Sequence, residues 1–237
     1  YNTFDYALAQ AKSTQEEDAV NILETVILSA DQTIDFESIA VTSTVNPAFR
    51  ITDGAAVTVE NGNMNTEDGG YNFILGASDG SSAGNLTIKS GKYHASTTVA
   101  SVTKGNLVIE GGEFSATPYK GSYAYLINCI DANYTNGSAK VEIKGGMFHN
   151  WNPQDNAAEG TGTDFCHADY AARETSANVW TVLPAVAKIG EARFATLQAA
   201  VNAVQNAETI NIIANIDENV NIVQTEGLSF TIDGAKD

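Results

Sequence analysis

An eight-residue pattern returns four times in this chain and constrains the fold more than any other feature. Val57-Thr58-Val59-Glu60-Asn61-Gly62-Asn63-Met64 matches Leu86 to Tyr93, Leu107 to Phe114 and Val141 to Phe148. The rule is apolar, any, apolar, two spacers, glycine, any, large apolar. Alternation with a period of two marks a strand with one buried face. A glycine at a fixed place before the last apolar residue suggests a corner that needs positive φ. Each copy therefore reads as strand, sharp bend, short strand. The copies start 29, 21 and 34 residues apart. That spacing fits single coils of a solenoid with loops of unequal length.

A further strand lies in each interval. Tyr71 to Ala77 resembles Tyr123 to Cys129, and Thr98 to Val102 takes the same place in the shorter coil. Three strands per coil, stacked in parallel about 4.8 Å apart, make a β-helix. The inward columns are then Val57, Leu86, Leu107, Val141; Val59, Ile88, Ile109, Ile143; and Met64, Tyr93, Phe114, Phe148. The outward column Glu60, Lys89, Glu110, Lys144 alternates in sign, and Lys92 falls beside Glu113. Opposite charges facing across strands are favourable by a few tenths of a kcal/mol. This ladder was not used to find the repeat, so it supports the register independently.

A second repeat has a period of 193 residues. Phe194 to Val201 aligns with Tyr1 to Leu8, and Ile210 to Ile216 aligns with Val20 to Val26 after a three-residue difference in length. Leu197, Ala200, Val201 and Val204 recur at helical spacing. Each copy thus opens on a short helix, suited to capping the end of a solenoid. The expected organisation is one module over 1–184 and the opening helix and strands of a second, truncated module over 185–237. The expected class is all-β: a right-handed parallel β-helix with a short N-terminal capping helix.

Charge narrows the partners. Twelve basic residues stand against 29 acidic ones, a net charge of −17. A phosphate backbone needs a basic patch, so nucleic acid is not an expected partner, and anionic membranes are disfavoured likewise. No apolar run of about 18 residues is present, so no membrane insertion is expected of this stretch. The abrupt start at Tyr1 reads as an excerpt of a longer product.

Val186 to Val201, the strand Thr209 to Ile213 and the later Phe230-Thr231-Ile232-Asp233-Gly234 resemble the opening of tandem modules in large surface proteins of gut bacteria. The Gly-Gly-x-Phe stretches at Gly111 to Phe114 and Gly145 to Phe148 resemble the rungs of those modules. The resemblance implies a pectin-lyase-like β-helix, a secreted or cell-surface location and an adhesin-type role. No functional residue carries over from it.

Chemistry is sparse. The arginines are Arg50, Arg173 and Arg193, and none sits in a repeated strand beside clustered aspartates. Glu110 and Glu142 are explained as ladder partners. His94 and His149 share a register two coils apart, roughly 10 Å, too far for one zinc ion. Asp164, Cys166, His167 and Asp169 crowd together, but adjacent residues seldom share a metal. Asp53-Gly54, Asp79-Gly80 and Asn136-Gly137 suit turns, with Ca²⁺ a weaker alternative. No catalytic residue, no metal site and no cofactor are therefore assigned. Cys129 and Cys166 could bridge, although Cys129 aligned with Ala77 suggests a small buried slot and a free thiol.

Ligand binding is expected on loops that break the coil rhythm, one from Pro118 to Tyr123 and one from Asn150 to Tyr170. Tyr119, Tyr134, Trp151, Asn152 and Asp155 suit sugar stacking and hydrogen bonding to hydroxyls. The alternative is that these aromatics cover the last coil. The expected function is a non-catalytic extracellular module for adhesion, binding a surface glycan or a host or bacterial protein and adjoining further modules of its own chain. A carbohydrate-active enzyme, of lyase or glycosidase type, and a purely structural spacer are the other readings.

Overall fold

The structure, a computed structural model, describes residues 3–14, 19–118, 120, 125–223 and 225–234. It is a β-solenoid. A helix, α1 (Thr3–Thr14), is followed by β1 (Val20–Ile22), β2 (Val26–Leu28) and β3 (Gln32–Asp35). The next coils are β4 (Val41–Ser43), β5 (Phe49–Ile51), β6 (Ala56–Glu60); β7 (Gly62–Thr66), β8 (Tyr71–Leu75), β9 (Gly84–Ile88); and β10 (Gly91–Ala95), β11 (Thr98–Val102), β12 (Gly105–Ile109). Then come β13 (Glu113–Ala116), β14 (Ile127–Cys129), a short helix α2 (Asp131–Thr135), β15 (Ala139–Ile143) and β16 (Met147–His149). Every third strand joins the same sheet: β1-β4-β7-β10-β13-β16, β2-β5-β8-β11-β14 and β3-β6-β9-β12-β15, all parallel.

The repeated octapeptide is a strand of the third sheet, the corner, and a strand of the first. Its columns stack in the expected register, Val57↔Leu86↔Leu107↔Val141 and Met64↔Tyr93↔Phe114↔Phe148. The inward residues are buried, except that Val141, on the terminal strand of its sheet, is only half-buried. The corner glycines Gly91, Gly112 and Gly146 have φ of +119°, +115° and +103°, a conformation only glycine adopts freely. In the earliest copy the left-handed residue is instead Asn61, at φ +50°. Gly62 is needed there for room, because a Cβ would strike the hydroxyl of Tyr93.

Aromatic rings run the length of the bore. Phe4 meets Phe49 edge-on at 4.9 Å, Phe49 stacks on Phe73 at 5.6 Å, and Phe73 lies 6.1 Å from Tyr93. Tyr93, Phe114 and Phe148 stack at 5.2 and 5.0 Å with planes within 11°. Stacked coils place identical columns one strand spacing apart, so rings in one column fall at near-ideal offset-stacking distance. α1 closes this bore: Phe4, Leu8 and Ala11, one face at helical spacing, are buried against the first coils.

At the other end the pattern changes. β17 (Tyr170–Ser176) and β18 (Val179–Pro184) form an antiparallel hairpin, and β18 extends the first sheet antiparallel to β16. A separate sheet follows, from β19 (Ala187–Ile189), β20 (Ala192–Phe194), β21 (Thr209–Ile212) and β22 (Thr231–Gly234), with helix α3 (Leu197–Ala203) upon it. Ala187, Leu197, Ala200, Val201, Val204 and Ile210 make its own apolar cluster. α3 begins at Thr196, whose side chain accepts from the Ala199 N–H at 3.1 Å, an N-cap.

Two expectations of register need correction. Lys89 pairs with Glu60 at 2.7 Å as expected, and Glu110 adds to the field that holds the Lys89 ammonium charged. Lys144, just past the end of β15, however, turns back to Glu142 at 3.2 Å and not to Glu110. The shorter reach along the chain prevails over the cross-coil one. Cys129 lies in the column Ile51↔Leu75↔Val102↔Cys129, two places from the alignment with Ala77.

Candidate functional site

Of the sequence-expected ligand residues, those described serve mainly the packing and turns of the last coil. Tyr119 lies outside the described residues. Trp151 is buried, 8% exposed, with its ring 5.7 Å from Phe148 and 6.2 Å from Phe165. Tyr134, half-buried on α2, meets Phe165 edge-on at 5.8 Å. A ring used for sugar stacking needs an open face, and Trp151 spends its faces on the core. Asn152 is a turn residue: its Oδ1 accepts from the Gln154 N–H at 3.0 Å and its carbonyl from the Asp155 N–H. Asp155 is exposed beside it.

Residues 150–167 thus form a cover on the last coil. Phe165 and Cys166 continue the third sheet, with Ile143 N–H donating to Phe165 O at 2.8 Å and His167 N–H to Ile143 O at 3.0 Å. A Glu159 carboxylate oxygen accepts from the Cys129 N–H at 2.6 Å, satisfying a donor on the end strand of the second sheet. Burial pushes the Glu159 carboxyl above its ordinary range, and Asp131 adds to this. Burial likewise raises Asp164, although Arg193 forms an ion pair with it. Both thiols are free and buried, each pushed up to about 12, by desolvation first. A thiol so displaced stays protonated and unreactive at neutral pH.

The histidines are occupied. His94 Nδ1 bonds Ser115 Oγ at 2.8 Å and its Nε2 bonds Thr117 Oγ1 at 3.2 Å. His149 Nε2 lies 2.9 Å from Glu113 Oε1. Among the described residues no group of three or more His, Cys, Asp and Glu side chains is placed to hold a metal ion. Asp53-Gly54 and Asn136-Gly137 are turns with left-handed glycines, as their residue types suggested.

The better candidate is a surface that sequence reasoning passed over: the groove beside the glycine corners. It has a volume of about 470 Å³ and is lined by Ser38, Asn61, Asn63, Lys92 and Glu113 over a floor of Gly62, Gly91 and Gly112. The glycine backbones make the floor. Its polar groups are held in place. Asn63 Nδ2 donates to Ser38 O at 3.0 Å, and Asn61 Nδ2 donates to Asp35 Oδ1 at 2.9 Å. Lys92 Nζ lies 3.4 Å from Glu113 Oε2, and the bond from His149 with the nearby Lys92 charge holds the Glu113 carboxyl below its usual range. The signal was present in the sequence as the two positions flanking each repeated glycine, of which only the Lys92–Glu113 pairing was drawn out, as part of the charge ladder. Such a trough offers amide, ammonium and carboxylate groups in a row along the solenoid axis, suited to an extended polar ligand.

No family model, curated protein or solved structure matches the chain. Function therefore rests on the geometry. Among the described residues no helix is long and apolar enough to cross a membrane.

Proposed function

We propose that the chain is a non-catalytic extracellular surface module that serves adhesion, holding a glycan or a protein ligand along the groove of Asn61, Asn63, Lys92 and Glu113. The observation that carries this reading is the use to which the charged and nucleophilic groups are put. Glu60 with Lys89, Glu113 with Lys92 and His149, and Asp164 with Arg193 are paired, while both thiols are buried. A general acid or nucleophile needs a group poised toward a reacting atom. The surface offers instead hydrogen-bonding groups at regular spacing on a rigid rod. The resemblance of 186–201 to tandem modules of gut-bacterial surface proteins supports the same reading, with a secreted or cell-surface location and neighbouring modules of the same chain as partners.

The test is a screen of the intact chain against immobilised host and plant polysaccharides and surface proteins. Retention without cleavage supports the proposal, provided that Lys92→Glu and Asn63→Asp weaken it at least tenfold while the circular dichroism spectrum is unchanged. Depolymerisation of a polysaccharide would transfer the chain to the enzyme reading. Retention indifferent to both substitutions would rule out the groove.

A further inference from the structure

The two copies of the 193-residue repeat differ in what flanks their opening strand. In the second copy, β21 is flanked on both sides. β22 lies parallel to it, with Ile210↔Ile232, and β19 lies antiparallel, with Ala187↔Ile212 and Lys188↔Asn211. The Ile213 N–H donates to Val186 O at 2.9 Å. In the earlier copy, β1 has a parallel partner in the same place, with Val20↔Val41. Among the described residues nothing lies on its other side, and β1 ends its sheet.

The empty side is a shaped socket. It is a mainly apolar groove of about 420 Å³, lined by Phe4, Ala7, Val20, Ile22, Leu23 and Val26 together with the polar Asn21 and Glu24. The alignment that pairs Phe194 with Tyr1 sets Phe4 and Ala7 against Leu197 and Ala200, and Val20 against Ile210. In the second copy those residues enclose Ala187, which is wholly buried. Leu23, the counterpart of Ile213, is 79% exposed where Ile213 is 43% exposed. An apolar residue so exposed beside an open strand edge is a template for strand addition.

We infer that the open edge of β1 is a strand-docking site whose occupant is another copy of the β19–β20 hairpin, bound antiparallel with its alanine in the socket between α1 and β1. The occupant is fixed by chemistry visible in the second copy: a small residue inward, as Ala187 lies against Leu197 and Ala200, and a polar residue outward opposite Asn21, as Lys188 lies opposite Asn211. The inference is independent of the proposed adhesive role.

The experiment duplicates residues 185–193 immediately ahead of Tyr1 in the full chain, reproducing the join at Arg193-Phe194. Backbone hydrogen exchange at Leu23 is read in this protein, in the unmodified chain, and in a version with Ala187→Asp in the added copy. A tenfold or greater slowing at Leu23 in the first alone, with Ile88 unchanged as a sign of an intact solenoid, is the expected result. No slowing, or equal slowing with the aspartate, overturns the inference. If the extended chain does not fold, a synthetic peptide of residues 184–196 is added to the unmodified chain. Protection gained at Leu23 without change at Ile213 supports the docking site, and its absence refutes it.

Discussion

Residue roles in the middle coils, β7 to β12, are set by what lies one strand above and below. In the turns of the cover, 150–167, backbone groups are satisfied by near neighbours in sequence. Tyr93 is held between Phe73 and Phe114, each 21 residues or so away along the chain. In the cover, Asn152, Asn156 and Asp164 each accept from the N–H two residues on, at 3.0, 3.0 and 2.8 Å. Such local turns satisfy backbone groups where no ladder exists. The contrast explains why a solenoid needs covers: the ladder satisfies itself only while another coil follows, and its ends must be closed by different chemistry. It also predicts that a substitution in the coils disturbs its column, whereas one in the cover disturbs one end.

The sharpest test is loss of a central ring. Phe114→Ala removes the plane between Tyr93 and Phe148 and leaves a cavity that stacked backbones cannot close. A cost of about 3–5 kcal/mol is expected by chemical denaturation. Trp151→Ala, at the end of the same aromatic row, has room to relax around it and is expected to cost less. Equal losses would break the distinction between column and cover.

Glycines sharpen the comparison within the coils. Gly105 and Gly54 both have positive φ, +115° and +77°. A Cβ on Gly105 would collide with the carbonyl of Gly84 in the coil before it, while one on Gly54 meets open space. Gly54→Ala should cost about 1–2 kcal/mol, the penalty of a left-handed alanine. Gly105→Ala adds a backbone collision and should cost more, read as a larger fall in denaturation midpoint.

Arg193 ties the cover to the chain beyond it. It pairs with Asp164, and its carbonyl accepts from Gln154 Nε2 at 3.1 Å. Arg193→Ala leaves Asp164 partly buried without its counter-charge, at a cost of about 1.5–3 kcal/mol. Hydrogen exchange should quicken at Cys166 while amides of β8 and β11 are unmoved.

Acid titration separates the two regions by sign. Glu113 on the solenoid wall is held below its usual range, first by the bond from His149. Its contribution is present above the unfolded carboxylate pKa of about 4.3 and is lost as pH falls through the lower folded value. Glu159 in the cover is raised by burial. Its contribution is present below about 4.3 and is lost as pH rises through the folded value. Glu113→Gln should therefore lower the melting temperature at pH 7 relative to the parent, with the gap closing in acid. Glu159→Gln keeps an acceptor for Cys129 N–H and should raise the melting temperature at pH 7, again converging in acid. Shifts of the same sign in both variants would contradict the opposed environments.

The coils were legible because translation along the axis repeats chemistry at fixed offsets. Twelve inward positions, the Glu60–Lys89 pair and the Lys92–Glu113 pair follow from that symmetry alone. What symmetry does not fix was misread. Cys129 was placed two residues out because the loop before it varies in length, so that similarity of Tyr71 and Tyr123 outweighed the inward count. α2 was missed, as a single turn of helix carries little periodicity. Trp151 stood open between ligand platform and cover of the last coil because nothing local shows that Phe165, far along the loop, turns back to meet it. The corner groove was legible in part: its glycines were noticed, but a floor without side chains was read as a bend and not as a surface.

The smallest expected effect tests the ladder itself. Lys89 bonds Glu60 at 2.7 Å on an exposed wall, and its side chain remains about half accessible to solvent. Exposed pairs contribute little and are weakened by salt. Lys89→Ala should lower the denaturation midpoint slightly at low ionic strength and leave it unmoved in concentrated salt. Lys144→Ala is expected to do less, since its partner Glu142 is two residues away in the same coil and the bond ties no coil to another. A double substitution of Lys89 and Glu60 measures the coupling directly. A coupling that vanishes at every salt concentration would mean that the alternating signs serve solubility and not register, and that the apolar columns alone align the coils.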